Sequence, residues 1–156
     1  MRVFLDTNIF MEFFEQRSQC ETVREILHAL EDREIEGVIS SGCLYTLTYL
    51  LTIGLKRNSI HRPEQTDRLR EMLRLIVSLC IVADAPHDKY IEAINDESFT
   101  DIEDSYQYQC ALYNGCSQFV TINIKDFEKA NQMATEILTP GQFVEKYIQN
   151  NNNNIN

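Results

Sequence analysis

Along the chain, short runs of contiguous apolar residues alternate with longer stretches in which apolar positions recur every three or four residues. Residues 2–5 (RVFL) run straight into the turn signal Asp6-Thr7-Asn8, which predicts a buried strand. Residues 9–14 suit a helical turn, and 21–31 carries Val23, Ile26, Leu27 and Leu30 at helical spacing. "IEGVIS" (35–40) predicts a second strand, and 44–55 a mostly buried helix despite its threonines. Leu69, Met72, Leu73 and Ile76 mark another helix, stopped before "LCIVADAP" (79–86), a third strand closed by Pro86. A helix follows from about His87, and another from Asp101 to about Asn114 with Gly115 as its stop. "SQFVTIN" (117–123) and "EILTP" (136–140) complete the strands, and Pro140 suits the first turn of a last helix over 141–147.

Alternating strands and helices predict an α/β fold, a parallel sheet covered on both faces. No linker or repeat divides 1–149, which is expected to be one domain. The tail "NNNNNIN" (150–156) has nothing to bury and is expected to be poorly ordered.

Composition narrows the class. At 156 residues and 44% hydrophobic, the chain can bury a real core, and no long uncharged apolar run predicts a membrane span. The first residues lack the basic, apolar and small-residue regions of a secretory signal, so a cytoplasmic location is expected. The five cysteines (Cys20, Cys43, Cys80, Cys110, Cys116) form no CxxC pair and sit in or beside apolar stretches, which predicts reduced, buried thiols. His28, His61 and His87 lack metal-ligand spacing, which argues against zinc.

The net charge of −10 argues on its face against a nucleic-acid partner. It is uneven, however. From 56 to 74 there are six bases (Lys56, Arg57, Arg62, Arg68, Arg70, Arg74) against three acids, leaving that segment at +3 and the remainder at −13. The segment is either a solvated mixed-charge face or a contact for RNA or a protein partner.

The candidate chemistry lies at strand ends, where an open α/β sheet keeps its functional crevice. Asp6 follows the first strand, with Thr7 and Asn8 beside it; Asn123 and Asp126 follow the fourth; Asp101, Glu103 and Asp104 open the helix before it. Asp101 and Asp104 are one helical turn apart, so Asp6, Asp101, Asp104 and Asn123 are placed to converge. Gathered carboxylates raise one another's pKa unless a cation neutralises them, and hard oxygen ligands suit Mg²⁺ or Mn²⁺. Such an ion activates water for attack on a phosphodiester. Each acid also has a plainer use: Asp6 as a helix cap, Asp126 in a turn, and Thr100 with Glu103 or Asp101 with Asp104 as a capping box.

"VFLDTNIF", "TDIEDSYQYQCALYNGCSQFVTINIKDF" and "ILTPGQF" together resemble a PIN-domain protein over about residues 2–147, close to the prokaryotic toxin nucleases of virulence-associated toxin–antitoxin pairs. The resemblance implies a three-layer α/β/α PIN-like fold with a central parallel sheet of about five strands. It also implies a Mg²⁺- or Mn²⁺-dependent endoribonuclease, and frequently a homodimer neutralised by a small antitoxin. By position, Asp6 matches the first metal-binding acid, Asp104 the acid opening the helix before the fourth strand, and Asp101 its common companion. Asn123 stands where most members have a further Asp, and Asp126 belongs to the trailing "DF". The block "ISSGCLYTLTYL" departs from the family: Thr46 stands where an acid is usual.

Two readings remain open at this point. In one, the chain is a ribonuclease: Asp6 and Asp104 hold the metal, Asp101 or Asn123 completes the shell, Glu103 supports it, and Ser40, Thr7 or Thr46 positions water or phosphate. In the other it keeps the fold without the chemistry, and the 56–74 segment binds RNA or a partner protein.

Overall fold

The computed structural model describes residues 1–130 and 134–150. Five parallel strands, β1 (Arg2–Leu5), β2 (Glu36–Ser40), β3 (Cys80–Ala83), β4 (Gln118–Val120) and β5 (Glu136–Leu138), form one sheet in the order β3-β2-β1-β4-β5. Among the described residues, seven α-helices connect them: α1 (Thr7–Phe14), α2 (Cys20–Glu31), α3 (Ser41–Arg57), α4 (Glu64–Leu79), α5 (His87–Asn95), α6 (Ile102–Tyr113) and α7 (Pro140–Phe143), the last continued by a π-helical turn, Val144–Gln149. The expected α/β architecture and its five-stranded parallel sheet are therefore present.

The core explains why the strands read as apolar runs. Val3, Phe4 and Leu5 of the central β1 are fully buried, as a strand covered on both faces requires. Phe4 stacks on Phe119 of β4 with ring centroids 4.9 Å apart, and Phe127 packs on Phe119 at 4.7 Å. Gly37 lets α2 and β3 close on β2: a Cβ there would lie 2.7 Å from Leu30 and 2.8 Å from Cys80. Gly115 ends α6 as expected, with φ at +67°. All five cysteines are buried free thiols.

Several boundaries differ from the sequence reading, each for a local reason. α3 starts at Ser41 rather than near 44, because the Ser40 hydroxyl caps the Cys43 N–H at 2.9 Å. α4 begins at Glu64, well before Leu69; its first turn is polar, and buried Gln65 anchors it by donating to the Ile60 carbonyl at 3.0 Å. β4 stops at Val120 because Thr121 turns to the strand-end network described below. β3 and β5 end at Ala83 and Leu138, short of their apolar or turn-closed runs. The last helix is capped by a Thr139–Gln142 capping box with Pro140 in its first turn. Of the Asn-rich tail, residues 151–156 lie outside the described residues.

Candidate active site

The strand order reverses between β1 and β4, and that is where the crevice of a parallel sheet opens. Asp6 extends β1 by one step, donating its N–H to the Val120 carbonyl at 3.1 Å. Although Asp6 precedes α1, its side chain makes no capping hydrogen bond. Instead Oδ2 accepts from Asn8 Nδ2 at 2.6 Å and from the Thr121 hydroxyl at 2.7 Å. Asn8 also reaches Thr121 Oγ1 at 3.2 Å and accepts the Ile122 N–H at 3.2 Å, while the Asn123 N–H donates to Thr121 Oγ1 at 3.1 Å. The Asp-Thr-Asn triplet thus ties the end of β1 to the end of β4 and fixes the Asp6 carboxylate between them. An acid after so apolar a strand is here, from the N-cap position of α1, a tie between two strands.

Asp6, Thr7, Asn8, Thr46, Asp101, Glu103, Asp104 and Asn123 line one cleft of about 230 Å³. α6 brings three of the acids. Asp101 is its N-cap, accepting the Glu103 N–H at 2.8 Å, which replaces both capping boxes suggested by the sequence. Glu103 is tied across to α3, where the Thr46 hydroxyl donates to its Oε1 at 3.0 Å. Asp104, half-buried, faces the cleft and forms no ion pair among the described residues. Ser40 lies outside the cleft lining, its hydroxyl engaged with Cys43. Asp126 is not a lining residue either, though its charge reaches Asp104.

Electrostatics mark both Asp104 and Asp6 as carboxyls held above their ordinary range. Burial, with the charges of Asp6, Asp101, Asp126 and Glu103 added, pushes Asp104 up to about 7. Burial also raises Asp6, only 4% exposed, against the opposing pull of the Thr121 hydroxyl, nearby backbone N–H groups and the Gln107 amide. Among the described residues no group of three or more His, Cys, Asp or Glu side chains is arranged to hold a metal ion. Asp6, Asp101, Asp104 and Asn123, the residues placed to converge by the sequence, all line this one cleft.

Three residues of the site have no part in the sequence reading. Thr121, although inside the block "VTIN", acquires its role only through its contact with Asp6. Arg17, between α1 and α2, borders the cleft while paired with Glu15 at 2.5 Å. Gln107, on α6 one turn after Asp104, lines the cleft and is 4% exposed. Its Oε1, like the Thr7 hydroxyl, has no hydrogen-bond partner among the described residues.

The basic segment does not reach this cleft. Lys56 and Arg57 end α3, Arg62 lies in the loop, and Arg68, Arg70 and Arg74 are on α4. Arg68 pairs with Glu64 at 2.8 Å and Arg70 with Asp67 at 3.3 Å. Lys56 and Arg62 share a separate hollow with His61.

A family model described as PIN domain matches residues 2–125. The chain belongs to the PIN domain family. It is similar to "Ribonuclease VapC1" of Aquifex aeolicus (strain VF5), 25% identical over 148 residues, covering 94% of this chain and 95% of that protein. The fold is also similar to that of a VapBC2 complex from Rickettsia felis bound to promoter DNA, with a TM-score of 0.66 at 18% identity over 89% of this chain and 98% of that one. VapBC-1 from nontypeable Haemophilus influenzae gives 0.59 at 14% identity over 90% and 99%. These likenesses carry the PIN fold across nearly the whole chain.

Proposed function

We propose that this PIN-domain chain is a Mg²⁺- or Mn²⁺-dependent endoribonuclease, and the toxin of a toxin–antitoxin pair. The observation that carries the reading is that Asp104 and Asp6 line one cleft at the β1–β4 switch, with Asp104 raised to about 7 by burial and by the charges of Asp6 and its other acidic neighbours. A bound cation would offset the cost of that arrangement to the metal-free fold. The donor set fits one: Mg²⁺ is commonly held by one or two carboxylates, with water and substrate phosphate supplying the remaining oxygens. The similarity to a ribonuclease VapC1 supports RNA as substrate.

In this reading Asp6 and Asp104 hold the ion, which when bound supplies an activated water and neutralises charge on the phosphodiester. The chain's own part is positional. Asn8 and Thr121 fix the Asp6 carboxylate by two hydrogen bonds, so it needs no reorganisation when the ion arrives. Asp101 holds the first turn of α6, and Thr46 steers Glu103 to the rim, where Asn123 adds a neutral oxygen. In this reading the partner is a small antitoxin and the working form a cytoplasmic homodimer; the similarity to VapBC structures supports the fold on which these assignments rest. No described helix is long and apolar enough to cross a membrane.

A second reading has its own observation. With no group of three acids arranged for a metal among the described residues, the chain could keep the fold as a binding module for RNA or protein. Incubating a mixed RNA pool with the purified protein separates the two. Cleavage that requires Mg²⁺ or Mn²⁺ and disappears in both Asp6→Asn and Asp104→Asn is expected. A wild type that binds Mn²⁺ and cuts no RNA would assign the chain to the second reading.

A further inference from the structure

Gln107 is a buried polar side chain whose carbonyl oxygen meets no donor among the described residues. Leaving such an acceptor unpaired in a protein interior costs about 1–3 kcal/mol. Two features say where the missing donor belongs. Gln107 lines the same cleft as Asp6 and Asp104, three residues after Asp104 on α6, so both side chains leave one face of the helix. Its amide also favours the ionised form of Asp6. A carboxylate only accepts hydrogen bonds, so only the NH₂ end of the amide can serve Asp6, and the oxygen is left over. The carboxylates lining the same cleft cannot satisfy this acceptor once they are charged. A water on a divalent cation, whose protons are made acidic by the ion, is the donor that fits.

We infer that Gln107 is a positioning residue for the cation proposed above: its amide bridges Asp6 and the ion's water shell, donating to the carboxylate with one end and accepting from a metal-bound water with the other. The inference rests on the metal-dependent reading of the cleft. It also accounts for the thin carboxylate set. An ion held by two acids keeps several waters, and an outer-shell partner of those waters sets their orientation and supports affinity by roughly 10–100-fold.

The role makes a paired demand that ordinary packing would not. Gln107→Leu keeps the volume and deletes the unpaired acceptor, so the metal-free variant should melt at or above the wild-type temperature. By calorimetry it should bind Mn²⁺ at least about tenfold more weakly. Gln107→Glu keeps the shape and adds a charge facing the ion; it should bind Mn²⁺ more tightly than wild type and melt lower without metal. If Gln107→Leu lowers the metal-free melting temperature and leaves the Mn²⁺ affinity of both variants at the wild-type value, Gln107 only packs α6 and the inference is overturned. Should Gln107→Leu not fold, unchanged affinity in Gln107→Glu alone overturns it. A wild type that takes up no Mn²⁺ removes the metal-dependent reading and this inference together, whereas the preceding outcome removes only the inference.

Discussion

At the residue scale, the cleft trades stability for charge. Asp104 keeps its proton up to about pH 7 in the folded chain but releases it near its ordinary 3.8 when unfolded. Between those values the folded state binds more protons, so the stability Asp104 contributes is present at low pH and is lost as pH rises through 7. Each pKa unit is worth about 1.4 kcal/mol, and solvent screening of a half-buried group leaves an effect on the order of 1–2 kcal/mol. Metal-free Asp104→Asn should therefore melt higher than wild type at pH 8, with the difference closing towards pH 4. Thermal unfolding in EDTA across that range measures it. A constant difference at all pH values would mean Asp104 is not the group that titrates.

At the scale of elements, the strands are legible in the sequence because each is a contiguous apolar run in a sheet buried on both faces, and β1 shows this most clearly. The start of α4 is not, because its anchor is a glutamine bonded to a loop carbonyl, which no periodicity records. Within the cleft, Asp6 and Asp104 are legible as acids at strand and helix ends, since topology alone brings those ends together. Gln107 and Arg17 are not: Gln107 is an uncharged residue one turn after Asp104 on α6, and Arg17 lies in the connection between α1 and α2, so neither stands at a strand or helix end that marks it. The basic segment is legible as a charge run but not in its division. Arg68 and Arg70 spend their charge on helix partners one turn away, while Lys56 and Arg62 meet over a separate hollow. If RNA is tracked there, Lys56→Ala with Arg62→Ala should flatten the salt dependence of RNA affinity by about 1.4 in log–log slope, at about 0.7 for each phosphate no longer neutralised. Arg68→Ala with Arg70→Ala should change it less. Equal slopes in wild type and the first double variant would make the segment a solvated face, and failure to bind a protein partner instead would make it a protein interface.

On the scale of the whole molecule, the charge distribution sets an order of events. A chain of net charge −10 repels a phosphate backbone, and the cleft where cleavage is proposed is its own concentration of acids. The positive segment from 56 to 74 lies outside that cleft, so it can hold RNA without bringing a phosphate to Asp6 and Asp104. A divalent ion between those two carboxylates reverses the local sign and offers coordination to the phosphate itself. RNA affinity should consequently rise when Mn²⁺ is added to EDTA-treated protein, and the rise should vanish in Asp6→Asn, which keeps the hydrogen-bonding shape and removes the charge that holds the ion. Fluorescence anisotropy of a labelled single-stranded RNA, at a constant ionic strength and at a temperature where cleavage is slow, reads both effects. Affinity that is the same with and without Mn²⁺ would place all of the binding on the basic segment, and the acids at the β1–β4 switch would then have no part in holding RNA.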